Sequence, residues 1–143
     1  MSSFKVFDIA GSGMSAQSVR LNTVASNLAN ADSVGGDPSR VYKARHPVFE
    51  AIRASQGTSA VPGSQKDGAA VRVTGIVENQ SAPDARYEPG NPLADAQGYV
   101  YSPNVNVVEE MVDMISASRS YQNNVEVLNT SKDLMLATLK LGQ

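Results

Sequence analysis

Between Asn106 and Gly142 nothing interrupts a helix, because no proline and no glycine occurs before Gly142 itself. Within that stretch Val107, Met111, Met114, Ser118, Tyr121, Val125, Leu128, Lys132, Met135 and Leu139 recur at alternating steps of four and three. Such spacing places them on one helical face. Glu109, Glu110 and Asp113 crowd the start and Lys140 sits near the end, as the helix dipole favours. A helix of this span is about 50 Å long at 1.5 Å per residue. A compact globule of the same mass is only about 40 Å across. The helix is therefore expected to project from a globule, or to belong to a molecule that is not a simple globule. Its seam needs a cover.

The opening of the chain offers one. Phe7, Ala10, Met14, Gln17, Leu21, Val24, Leu28 and Ala31 follow the same heptad rhythm, with Gln17 the one polar member. Two matching seams predict that the first and last helices pair side by side as an antiparallel coiled coil. The competing reading is two separate amphipathic helices on a globular core. Uncovered seams of either length would aggregate, which favours the pair. Gly11 and Gly13 lie inside the first pattern and each costs about 1 kcal/mol relative to Ala. A frayed or bent opening turn, or close approach of another backbone, is expected there. The outward face carries Ser15, Ser18, Asn22, Thr23, Ser26, Asn27 and Asn30, with Arg20 its only charge. Small neutral polar groups cost less to desolvate than charges and hydrogen-bond across contacts. Protein is thus expected on more than one side of this helix.

Helix breakers lie between the two patterns. All seven prolines, and eight of the eleven glycines, fall between residues 34 and 103. Asp32–Arg40 reads as a loop, and Val41–Ile52 as a strand with Pro47 marking an edge or bend. The Gly-, Ser- and Gln-rich stretch 56–68 is expected to be mobile. Val71–Glu78 reads as a strand, with Arg86–Glu88 a possible partner. Pro89–Pro92 is a turn and Gly98–Ser102 a short strand. The fold class is mainly α with a small β-rich insert. Residues 1–33 and 104–143 form the helical domain, and 34–103 the loop-rich middle segment.

The sequence has 143 residues, room for one domain or a small domain plus a stalk. A net charge of -2 argues against nucleic acid as a partner. The chain has no cysteine, so disulfide and thiol chemistry are excluded. No apolar run approaches the roughly 20 residues of a membrane span. Met1–Ser15 reads as lacking a cleavable secretory signal. No catalytic, cofactor or metal site is expected. His46 is the lone histidine, and Gly11-Ser12-Gly13 has neither a preceding strand nor a following GK[ST]. Asp67, Asp84 and Asp95 are scattered among turn residues. What remains is a subunit built to pack against others. Its candidate assembly interface is Met14, Leu21, Val24, Leu28, Met111, Met114, Tyr121, Val125, Leu128, Met135 and Leu139.

Two stretches sharpen this reading. SGMSAQSVRLNTVASNLANADS (Ser12–Ser33) resembles the N-terminal signature of bacterial flagellar rod and hook proteins. PNVNVVEEMVDMISASRSYQNNVEVLNTSKDLMLATLKLG (Pro103–Gly142) resembles their C-terminal signature. The short length and the run NPLADAQGYVYSPNVN point to the proximal rod branch. The likeness is weaker over residues 35–83. It implies a structural subunit, not an enzyme, that passes unfolded through the flagellar type III export channel. It implies helical assembly into the rod, a hollow drive shaft crossing the periplasm, with the terminal helices as a coiled-coil layer around its channel. The implied partners are other copies, other rod proteins including the distal rod, and the inner-ring and export-gate junction. No small-molecule substrate and no membrane insertion are implied. A soluble helical adaptor that binds a single partner is the alternative.

Overall fold

The computed structural model describes residues 3–53 and 68–141. Helix α1 spans Ser3–Asn30 and α2 spans Val107–Leu141. Between them lie strands β1 (Arg45–Arg53), β2 (Ala69–Glu78), β3 (Asp84–Tyr87) and β4 (Tyr99–Ser102). The two helices and two small antiparallel strand pairs match the expected mainly α chain with a β-rich insert. At 1.5 Å per residue the helices are about 42 and 52 Å long.

The end of α1 and the start of α2 are closed by local side chains. Asn30 Nδ2 donates to the Ser26 carbonyl, and Ser33 Oγ donates to the Asn30 carbonyl. The Asn30 carbonyl also accepts from the Ser33 N–H, so two bonds from Ser33 close the last turn of α1. Asn106 caps α2: its Oδ1 accepts from the backbone N–H of Val108 at 3.1 Å and of Glu109 at 3.4 Å. The glycines do not bend α1, which runs unbroken through Gly11 and Gly13. Gly13 meets a side chain rather than a backbone. A Cβ there would lie 2.9 Å from Asn124 Nδ2.

Strands β1 and β2 form an antiparallel ribbon, Arg45 opposite Glu78 and Arg53 opposite Ala69. Its register shifts between Val48 and Phe49, directly after Pro47, which is the bend expected there. The ribbon packs along α1. Ser12 Oγ accepts from the Val71 N–H at one end, and Asn27 bonds the Arg45 backbone at the other. Strand β3 pairs with β4, Asp84 opposite Ser102, and not with β2 as its sequence position suggested. The loop after α1 joins this second ribbon through reciprocal backbone bonds between Gly35 and Tyr101. Gly36 leaves no space for a side chain, since a Cβ would lie 2.5 Å from the Leu93 carbonyl oxygen. Most of the stretch 56–68 lies outside the described residues.

Asn104 ties the middle segment to the lead-in of α2. Its Oδ1 accepts from the Ala44 N–H at 2.8 Å, and its Nδ2 donates to the carbonyls of Asn79 and Ser81. Ala44 is buried, so its N–H has no ready substitute for that bond. Asn104→Ala is expected to cost about 1–3 kcal/mol. A denaturant titration checks this, with a lower midpoint at unchanged slope as the expected result.

Candidate assembly interface

The helices α1 and α2 pack against each other, and three contacts fix their alignment. Gly13 meets Asn124, Arg20 Nη2 donates to Asp113 Oδ1 at 2.7 Å, and Asn27 Nδ2 donates to Glu110 Oε1 at 2.9 Å. The contacts run in opposite sequence order along the two helices.

The contact line lies one residue away from the predicted seam. On α1 the facing residues are Ala10, Gly13, Gln17, Arg20, Val24 and Asn27, rather than the Met14–Leu21–Leu28 series. On α2 they are Glu110, Asp113 and Asn124, and the same helical face carries Met114, Ala117, Tyr121, Leu128, Ser131 and Met135. Ala117 is fully buried, whereas Met111 is 53% exposed. The shift has a simple cause. The two registers share every second position, and at several of the others the sequence reading preferred apolar bulk, taking Met14, Leu21, Leu28, Met111 and Val125. Close helix contact instead takes small residues at Ala10, Gly13 and Ala117, and polar residues that bond across the seam.

The candidate interface residues therefore divide. Val24 is buried in the pair. Met14, Leu21 and Leu28 are half-buried on the flank of α1 turned away from the β1–β2 ribbon. Met114, Val125, Leu128 and Met135 are half-buried on α2. Met111, Tyr121 and Leu139 are exposed. Leu139 shares the helical face of Leu128 and Met135. Extending the pairing one residue at a time puts Ser3 opposite Leu134, so α2 continues past the described end of α1.

A second face of α1 explains its small polar side chains. Ala16 and Thr23 are buried, and Ser12, Ser26 and Asn27 bond to the first ribbon or its lead-in. Ser15, Ser18 and Asn22 remain exposed. Thus α1 lies between α2 and the ribbon, while α2 packs against no other helix or strand among the described residues.

The polar centre of this arrangement is Asn27, which is fully buried. Its Nδ2 donates to the Arg45 carbonyl and to Glu110, and its Oδ1 accepts from the Arg45 N–H and the Tyr42 hydroxyl. Glu110 is also buried, and its Oε2 has no hydrogen-bond partner among the described residues. Burial pushes the Glu110 carboxyl above its ordinary range, against the smaller opposing effects of the Asn27 hydrogen bond and nearby His46. Sequence reading assigned Glu110 to the helix dipole and missed this role. Its heptad spacing from Met114 and Ala117 was the available signal. Elsewhere Asp95 organises a turn, accepting from the N–H groups of Gln97 and Tyr99 and from the Tyr101 hydroxyl. Among the described residues no acidic, His or Cys group is arranged to hold a metal ion, and no helix is long and apolar enough to cross a membrane.

Two long helices paired around a polar node, one of them packed on α1 alone among the described elements, suit a structural subunit. The comparisons agree with this class. A family model described as "Flagella basal body rod protein" matches residues 7–36, which contain most of α1. Another, "Flagellar basal body rod FlgEFG protein C-terminal", matches residues 96–141, from just before β4 to the end of α2. The flagellar basal-body rod protein FlgC of Escherichia coli O6:H1 is 55% identical over 143 residues, with both chains fully covered. Those of Salmonella typhimurium and Bacillus subtilis are 54% and 36% identical, again over the full length of both chains. The chain belongs to the FlgC family of flagellar basal-body rod proteins, a structural family rather than an enzymatic one.

Glu110 generates a pH test. A carboxyl whose folded pKa lies above its unfolded value adds stability below the unfolded pKa. That contribution is lost as pH rises through the folded pKa. Glu110→Gln keeps an acceptor for Asn27 and removes the buried charge. It is expected to raise the denaturation midpoint at pH 7 relative to the parent, with the difference shrinking towards pH 4. Parallel denaturant titrations across that range check the sign.

Proposed function

We propose that this chain is a structural subunit of the proximal rod. It assembles helically through its first and last helices into the hollow shaft that transmits torque and conducts exported subunits. In that assembly the helix pair, residues 1–33 with 104–143, acts as an antiparallel coiled coil and the segment 34–103 packs outside it. Neighbours are other copies, other rod proteins, the distal rod, and the inner-ring and export-gate junction. The subunit reaches the periplasm through the flagellar type III system.

The observation that carries this reading is the partial cover of α2. A 35-residue helix has one helical partner of 28 residues and leaves Val108, Val112, Ile115, Leu134 and Leu139 more than half exposed. Apolar surface of this extent marks an interaction site. A tall, slender subunit with its long axis set by two helices suits a shaft built from staggered copies.

The direct test is to isolate basal bodies and probe them with an antibody to this chain. Recovery in the rod is expected. Recovery only in a small soluble complex would favour the adaptor reading. Leu128→Asp gives the mutational counterpart. It places a carboxylate in the helix pair, where even a neutral unpaired polar group costs about 1–3 kcal/mol. Cells carrying it are expected to be non-motile and to lack rods beyond this subunit. Normal swimming would overturn the role given to the seam.

A further inference from the structure

Helix α2 carries two separate apolar surfaces, one at each end. Near its start Val108, Met111, Val112 and Ile115 recur at i, i+3, i+4 and i+7, on the side opposite the α1-facing residues Glu110, Met114 and Ala117. All four are exposed. Near its end Leu136 and Leu139 are exposed, with Leu134 exposed on another flank, so apolar side chains are spread over more than one face of this segment. Between the two surfaces the outward line is polar, through Arg119, Gln122, Glu126 and Asn129.

The two surfaces differ in charge. Residues 107–115 hold three carboxylates and no base. Glu110 and Asp113 are engaged by α1, which leaves Glu109 exposed at the edge of the first surface. At the other end Lys132, Leu136, Leu139 and Lys140 share one face at i, i+4, i+7 and i+8, so two leucines lie between two lysines. Both lysines are exposed and form no ion pair among the described residues; Asp133 lies at the side of this face. The centres of the two surfaces are about 40 Å apart along one helix. One straight helix cannot bring its own two surfaces together.

We propose that the apolar face of residues 108–115 seats the far end of α2, residues 132–140, of a second copy of this chain. The complementary halves of the contact are then carried by different ends of the same helix. Such a contact is heterologous: it does not close on itself by two-fold symmetry, and repetition generates a ring or an open helix. This inference rests on the reading of the chain as a rod subunit, and adds to it which surfaces meet.

The test places a photoreactive benzoylphenylalanine at Val112 in cells and irradiates isolated basal bodies. The expected product is a dimer of the 15.1 kDa chain, joined to the tryptic peptide that spans residues 133–140 of the second copy. Lys140→Glu is expected to reduce its yield about two- to fivefold, the range of an exposed charge pair. Glu109→Lys in the same chain is expected to restore it. A cross-link to a different protein, a cross-link to another part of this chain, or no cross-link with the chain present would each overturn the inference alone. So would a yield unaffected by Lys140→Glu. Basal bodies that lack the chain would sink both the rod reading and this inference.

Discussion

Asn27 is where the structure is held in register. One amide, buried between three elements, makes four hydrogen bonds: two to the backbone of Arg45, one to Tyr42 and one to Glu110. Its donors and acceptors are all in use. Sliding α2 along α1, or shifting β1, would strand several of these groups away from water. Apolar seams alone tolerate such slips, because neighbouring heptad registers bury similar area. A satisfied polar group does not, and this is the best attested use of polar residues in helix pairs. The cost is the Glu110 carboxylate, whose second oxygen lacks a protein partner. Specific alignment is thus bought with local stability.

The larger features were legible in the sequence because they depend on repetition. Two long proline-free heptad patterns gave both helices, and clustered prolines and glycines marked the insert. Strand β2 was readable from β-branched residues around Val71–Glu78, and β1 from the run ending at Ile52, but their pairing with each other was not, since Arg86–Glu88 was the partner expected for β2. Nor was the pairing of β3. Arg86 has no intrinsic preference for β2 over β4, and the Asp95 turn that brings Tyr99 back to Tyr87 is a tertiary detail. The rotation of the helix seam was missed for a related reason. A three–four repeat admits two adjacent registers, and side-chain size favours Met14 and Leu21 over Gly13 and Arg20. Only contact across the pair reveals that Asn124 fills the space at Gly13 and that Arg20 has Asp113 opposite.

The small polar residues of α1 also acquire a physical reason. A helix packed on two sides needs two stripes without long charged side chains. Ala10, Gly13 and Val24 serve the α2 side, while Ser12, Ala16, Thr23 and Ser26 serve the ribbon. A Lys or Glu at Thr23 would have to be desolvated or would push the ribbon away. The exposed remainder, Ser15, Ser18 and Asn22, keeps the same character without a side-chain partner among the described residues. On a rod subunit these positions suit a further protein neighbour, since serine and asparagine sacrifice little hydration on burial.

The interior of this chain is thin. Its buried apolar residues among those described are Ala10, Ala16, Val24, Ala44, Val100 and Ala117, four of them alanines. Alanine contributes little area, and the larger apolar side chains are half-buried or exposed. A single molecule therefore leaves much of its hydrophobic surface in water. The two-stranded ribbons have the same character, since isolated pairs of strands are marginal without packing on a face. Strand β2 packs on α1 mainly through its first half, while Ile76 and Val77, on opposite faces, are both about half exposed. An enzyme with so thin an interior would hold a reactive geometry poorly. For a structural protein of the basal-body rod the same economy is coherent, because apolar surface left open by one chain is available to contacts with other rod and basal-body proteins.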